Sequence, residues 1–173
     1  MNYPKKLIIR LTIAIILLLI PINIFYLLLL KPTLIISAIS FLNLNPIITT
    51  DSIFLNNTLL YFNQACIATS AYYLLAVLIL LTKDIKLKKA IILFISGAFL
   101  IFIANTIRID TLIYLFIKNN INLFNALHFI FWKLIASIYV VLIWVLLTKK
   151  LKIKTIPVVS DLKYLISKIK IFK

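Results

Sequence analysis

Residues 90–107 read AIILFISGAFLIFIANTI, eighteen consecutive positions without a charged side chain. An α-helix rises about 1.5 Å per residue, so a stretch of this length crosses most of the roughly 30 Å hydrocarbon layer of a bilayer. Further apolar stretches of comparable length lie at 7–30, 65–81 and 127–147. Together they predict an all-α integral membrane protein, a bundle of about four transmembrane helices with short interfacial helices.

The composition supports a single membrane domain over residues 1–173. Of the 173 residues, 64% are apolar, whereas soluble domains are about half apolar. No internal repeat or linker divides the chain. One cysteine and one histidine exclude a disulfide framework, a zinc cluster and a c-type haem site within the chain. One glycine excludes a glycine-rich phosphate loop. We therefore expect neither a metal nor a cofactor.

Two shorter apolar segments and one polar segment lie between the predicted spans. Thr33–Leu42 follows Lys31-Pro32 and is predicted to form an interfacial or re-entrant helix. Ile109–Ile117 either continues the third span or forms a separate short helix. Asn43–Asn63 is dense in Asn, Pro, Thr, Asp and Ser, which predicts a loop with a short hairpin around Asn56-Asn57.

The basic residues predict the orientation. Nineteen lysines and arginines against four acidic residues give a net charge of +15. Most of them fall in the N-terminal flank 5–10, the loop 83–89 and the tail from 149 onward. With four spans these segments share one side, so both termini are predicted to be cytoplasmic in a multi-pass protein of the cell membrane. Residues 158–173 are predicted to form an amphipathic helix on the cytoplasmic leaflet. A basic chain also suggests nucleic acid, but lysines that flank membrane spans are the commoner cause, so lipids rather than nucleic acid are expected as partners.

With this topology, three chemically unusual residues lie at the outer ends of three different spans. Cys66 begins the second span, Arg108 follows the third, and His128 begins the fourth. Taken singly, a membrane cysteine is more often a small buried residue. A lone histidine is more often structural, and an arginine at a span end usually extends to the headgroups. Their shared depth on consecutive spans favours one extracytoplasmic site.

Such a site can carry out acyl transfer on a peptide bond through a thioester. Cys66 would be the nucleophile, because a thiolate attacks carbonyl carbon when a base removes its proton and a cation stabilises it. His128 would accept the proton and return one to the leaving amine. Arg108 would stabilise the thiolate or a tetrahedral oxyanion. The candidates for supporting residues, one turn or less from these groups, are Thr69, Ser70, Asn105 and Asp110.

These residues resemble the motifs of the exosortases and archaeosortases. The similarity lies in Ala65-Cys66-Ile67-Ala68-Thr69-Ser70, in Asn105-Thr106-Ile107-Arg108-Ile109 and in His128, and it extends over roughly residues 63–144. Ala68 stands where the family frequently has glycine, and four spans are few for the family. The resemblance implies a membrane cysteine transpeptidase. Such an enzyme cleaves C-terminal sorting signals of exported proteins and transfers the new carboxyl group to an acceptor, such as a lipid.

Two other functions fit the same sequence. A small non-enzymatic membrane protein, such as a transporter subunit or assembly factor, would need no proximity among Cys66, Arg108 and His128. A lipid-modifying enzyme would share the outer site and differ in substrate.

Lys133, about five residues inside the fourth span, either extends to the headgroups or adds a second cation to the site.

Overall fold

A computed structural model describes residues 8, 9, 12, 13, 15, 16, 23–82, 85–131 and 136–153. This part of the chain is mostly helical, as predicted, and it contains one small antiparallel sheet that the sequence indicated only as a hairpin. Residues 8, 9, 12, 13, 15 and 16 are also helical. The elements are α1 (Asn23–Ser40), β1 (Ile47–Ile48), β2 (Ser52–Leu55), β3 (Thr58–Tyr61), α2 (Thr69–Leu81), α3 (Leu87–Ile117), α4 (Ile121–Ile130) and α5 (Ala136–Lys150).

α3 is the central element, a single helix of 31 residues. Its length is about 46 Å at the usual rise of an α-helix. The predicted span 90–107 lies inside it, and Ile109–Ile117 is its continuation rather than a separate helix. Within the described residues α3 is the one helix long and apolar enough to cross a membrane by itself. The four-span bundle and its orientation stay predictions.

α1 runs without interruption through Lys31-Pro32, where we expected a span to end and a separate segment to begin at Thr33. A proline inside a helix leaves a carbonyl one turn earlier without its usual donor. The carbonyl so affected is that of Leu28, whereas the hydroxyl of Thr33 donates to the next carbonyl, that of Leu29, at 2.7 Å. Packing holds this part of the helix in place, since Leu34 is only 1% exposed. The prediction of a separate helix at 33–42 is therefore wrong, because residues 33–40 belong to α1.

Two apolar clusters meet on α3. The first joins α1, the sheet and the C-terminal part of α3, around Leu34 and Ile53. The second joins α2, α3 and α5, around Leu75 and Val140. α2 lies close to α3 at Gly97, where an added Cβ would come within 2.7 Å of a Leu75 methyl carbon. The part of α3 between the two clusters carries the polar residues that matter below.

The sheet has the strand order β1-β2-β3, all antiparallel. Its hairpin turns at Asn56 and Asn57, with φ of 47° and 62°. Positive φ at both central residues is typical of a type I′ turn, which asparagine adopts more easily than most residues. The hairpin predicted at this position is confirmed. Ile53 is buried and Phe54 is exposed, so one face of the sheet covers the first cluster.

The predicted fourth span, 127–147, takes in the last residues of α4 (Ile121–Ile130) and most of α5 (Ala136–Lys150). Residues 132–135, between these two helices, lie outside the described part of the chain. α4 begins earlier than expected because the side chain of Asn120 accepts the backbone N–H of Leu123 at 3.3 Å and caps it. Lys133 and the predicted tail helix 158–173 lie outside the described residues.

One hydrogen bond links the two ends that were predicted to share a side. Lys89, in the first turn of α3, donates from Nζ to the carbonyl of Leu151, just after α5, at 2.7 Å. The start of α3 and the end of α5 therefore lie at the same end of the molecule. Arg108 lies 19 residues after Lys89 on α3, about 28 Å along the helix and toward the opposite end.

Candidate active site

Cys66 lies in a tight turn before α2, not on the helix as the span 65–81 predicted. Its backbone N–H donates to the side-chain oxygen of Asn63 at 3.0 Å, the pattern of an asparagine turn. Ala68 follows with φ of 54°, in the left-handed region, and α2 begins at Thr69. The helix cannot extend back to residue 65 because its geometry stops at this left-handed residue. The thiol is half-buried and unpaired.

The turn changes the positions of the two hydroxyl residues that were predicted to support Cys66. Thr69 is buried, and its hydroxyl donates to the carbonyl of Gln64 at 3.3 Å, which fastens the turn to the start of α2. Ser70 is exposed in the first turn of α2. Neither lies one helical turn from Cys66, as we had expected, because Cys66 is not helical.

Two side chains of α3 converge on the carbonyl of Cys66. Asn105 Nδ2 donates to it at 2.8 Å, and Arg108 Nη2 donates to it at 3.1 Å. The same Arg108 nitrogen donates to the carbonyl of Ala65 at 3.0 Å. Residues three apart lie on one face of a helix, so α3 presents both groups to the turn. The spacing Asn-x-x-Arg thus fixes the backbone that carries the thiol.

Arg108 has a further nitrogen available for chemistry. Its Nε is buried and has no hydrogen-bond partner among the residues that the structure describes. An unpaired buried donor is unfavourable, and an anionic group that reached it would be bound correspondingly well. Arg108 thus positions the turn through Nη2, while its buried Nε is left without a partner among the described residues.

His128 lies in the last turn of α4, seven residues after Ile121, and not at the start of a helix as predicted. Its ring stacks on Phe124, with the centroids 5.8 Å apart. Phe124 in turn packs edge-on against Phe116 of α3, at 5.9 Å. This aromatic row holds the exposed imidazole of α4 beside α3.

Cys66, Arg108 and His128 line one cavity of about 320 Å³. The rest of its wall consists of residues 58–62 of the hairpin and apolar side chains of α3 and α4. The structure therefore brings together the three residues that the sequence singled out. A second, mainly apolar cavity of about 260 Å³ lies between α2, α3 and α5. Its wall includes Arg108 and Asn105.

Asp110 does not meet Arg108. Its Oδ2 accepts a hydrogen bond from the hydroxyl of Ser40 at 2.7 Å, which ties the end of α1 to α3. Two residues along an α-helix correspond to a rotation of about 200°, so Asp110 points to the other side of α3 from Arg108. The supporting role that we considered for Asp110 at Arg108 is replaced by a contact between helices.

Sequence reasoning missed Asn63 and strand β3 as parts of the site. An asparagine three residues before the thiol is a recognisable turn signal. The pair Asn56-Asn57 indicated a hairpin and so a strand after it, but neither signal showed that this strand would border the cysteine.

No family model, curated protein or solved structure matches this chain.

Proposed function

We propose that this chain is a membrane cysteine transpeptidase of the exosortase and archaeosortase kind. It would cleave C-terminal sorting signals of exported proteins at the outer face of the cell membrane. The observation that carries the proposal is the shared cavity of Cys66, Arg108 and His128, with Arg108 hydrogen-bonded to the carbonyl of Cys66. The three residue types are those required for attack by an activated thiolate.

The reaction would proceed in two acyl transfers. His128 accepts the proton of the Cys66 thiol, and the sulfur attacks the scissile carbonyl carbon. The resulting oxyanion collapses, the C–N bond breaks, and the amine leaves with the proton from His128. An acceptor amine or hydroxyl, from a lipid headgroup or from water, then attacks the thioester and restores the thiol.

Arg108 would stabilise negative charge in both transfers. Its Nη2 is held by two carbonyls of the turn, while its buried Nε remains free to donate. A preorganised charge or donor of this kind contributes about 3–4 kcal/mol to a transition state. Asn105 would act indirectly, because its hydrogen bond is to the carbonyl of Cys66 and not toward the cavity.

The apolar surface supports a multi-pass position in the membrane. Large apolar side chains on three helices are more than 60% exposed, among them Leu27, Phe99 and Leu146. Water-exposed apolar surface of this extent is unfavourable, whereas lipid would cover it. The cluster of lysines at the start of α3, opposite the Arg108 end, favours a cytoplasmic location for that end and for both termini.

The test is processing of an epitope-tagged exported protein from the same genome. The protein chosen ends in one apolar helix and a basic segment, and it is co-expressed with the wild-type chain or a variant. Cys66→Ala should abolish the C-terminal cleavage, and Arg108→Lys should reduce it severely because lysine lacks the planar fork. Thr111→Ala is the matched control, since that hydroxyl donates only within its own helix, to Ile107 at 2.7 Å. Unchanged cleavage by Cys66→Ala would refute the proposal and leave a non-enzymatic membrane protein as the better description.

A further inference from the structure

β3 is an edge strand of the sheet. It pairs with β2 from Leu55↔Thr58 to Ser52↔Tyr61, and the series continues as the N–H of Phe62 donates to the carbonyl of Asp51 at 2.9 Å. Among the described residues no strand pairs with its other side, because the strand order is β1-β2-β3. One edge of β3 is therefore open to a further strand.

The hairpin geometry identifies the backbone groups on that edge. In a hairpin with a two-residue turn, the pair that flanks the turn exchanges hydrogen bonds, and bonded and non-bonded pairs then alternate. The flanking pair is Leu55↔Thr58, so Thr58 and Leu60 bond to β2, in agreement with the Phe62 contact. The N–H and C=O groups of Leu59 and Tyr61 consequently point away from β2.

The cavity of the candidate active site runs along this edge. It is lined by every residue from Thr58 to Phe62. Successive side chains of a strand point to opposite faces, so a cavity over one face would be lined by alternate residues. Contact with consecutive residues indicates that the cavity follows the strand edge itself. Cys66 and His128 line the same cavity.

We infer that β3 binds an extended peptide as an added strand, through the outward N–H and C=O groups of Leu59 and Tyr61, and so presents a peptide carbonyl to Cys66. The inference rests on the proposed function and adds to it the way in which the substrate is held. Strand addition obtains its affinity from main-chain hydrogen bonds, and side-chain pockets supply selectivity. The cavity wall formed by Leu112, Ile113 and Phe116 favours apolar side chains at alternate positions of the peptide.

The test uses thiol reagents of different length on the whole chain in detergent, where Cys66 is the single cysteine. Acetyl-tetraalanyl chloromethyl ketone should label Cys66 about tenfold faster than acetyl-alanyl chloromethyl ketone, because two or more main-chain hydrogen bonds form only with the longer reagent. N-methylation of single amides in the longer reagent should remove this advantage at alternate positions only. Iodoacetamide, which has no peptide chain, provides the intrinsic reactivity of the thiol.

A variant pair isolates the strand edge. Leu59→Pro removes an N–H that faces the cavity and leaves the bonds of Thr58 and Leu60 to β2 in place. With each rate taken relative to that of iodoacetamide, it should bring the longer reagent down to the rate of the shorter one. Leu59→Ala keeps the N–H, so the longer reagent should keep its advantage over the shorter one. Should Leu59→Pro fail to fold, hydrogen exchange of the wild type decides, because the longer reagent should protect the amides of Leu59 and Tyr61 and the shorter one should not.

The outcomes separate this inference from the proposed function. Strand addition would be overturned if both reagents label Cys66 at the same rate, or if N-methylation has the same effect at every position. This holds even if cleavage of the tagged exported protein depends on Cys66. Length-dependent, alternating labelling would support strand addition even if the reporter remained uncut, in which case it is the transpeptidase that fails.

Discussion

Replacing Ala68 by glycine should be the most favourable single substitution in the turn that carries the thiol. Ala68 has φ of 54° and ψ of 37°. The left-handed region costs an L-residue about 1–2 kcal/mol, whereas glycine adopts it freely. Against this gain, glycine loses about 0.5–1 kcal/mol more backbone entropy on folding. The half-buried Ala68 methyl also contacts the cluster of α2, α3 and α5, and its loss reduces the gain further.

A matched substitution in the same turn cancels the entropy cost of glycine. Ala65 is exposed and is not among the positive-φ residues, so Ala65→Gly bears the entropy cost without relief of strain. Ala68→Gly should therefore be more stable than Ala65→Gly by about 1 kcal/mol. This difference is the energy gained by relieving the left-handed conformation minus the energy of the lost methyl contacts. For a chain of this size that difference corresponds to about 2–4 °C in midpoint, measured by thermal unfolding in detergent. A midpoint for Ala68→Gly equal to or below that of Ala65→Gly would show that the turn is not strained at Ala68.

Three further outcomes are expected. Asn105→Ala should lower the Cys66-dependent cleavage of the tagged exported protein about tenfold, because one buried hydrogen bond is lost. Thr106 is equally buried, but its hydroxyl bonds within its own helix, so Thr106→Ala should change the cleavage less than twofold. Gly97→Ala should lower the free energy of unfolding, measured in detergent, by about 1–3 kcal/mol because the added methyl meets Leu75. In the double variant with Leu75→Ala, the loss of stability should be smaller than the sum of the two single losses. His128→Ala should reduce cleavage by about 10²- to 10⁴-fold with an unchanged melting midpoint, since His128 is exposed, and a large loss of stability would instead indicate a structural histidine.

The sequence was informative where one signal dominated. Eighteen uncharged residues predicted the helix over 90–107, which lies within α3, and the paired asparagines predicted the hairpin. Cys66, Arg108 and His128, which were expected to lie together, line one cavity, while their common membrane depth and catalytic roles stay predictions. In each case a local pattern and the tertiary structure favour the same arrangement.

Elsewhere local patterns and tertiary contacts disagreed. Lys31-Pro32 normally indicates a helix end, but packing of the buried face of α1 outweighed it. The turn at Cys66 ends at an alanine in a conformation that alanine seldom adopts, so the residue type at 68 did not indicate the left-handed position. α4 begins among asparagines that are typical of loops, and its capping by Asn120 became visible only in the structure.

The length of α3 has a consequence for the choice of substrate. From Ala90, the first residue after the lysines, to Arg108 the helix rises about 27 Å, close to the thickness of the hydrocarbon layer. In the proposed enzyme the reactive thiol is therefore fixed at the outer boundary of the lipid. An exported protein held by its own membrane helix would present a bond at this height only if a short spacer separates the two, because an extended chain moves about 3.3 Å away with each residue. The enzyme would thus select its targets by the distance of the cleavage point from the anchor as well as by sequence, and the same recognition motif placed ten residues farther out would escape processing.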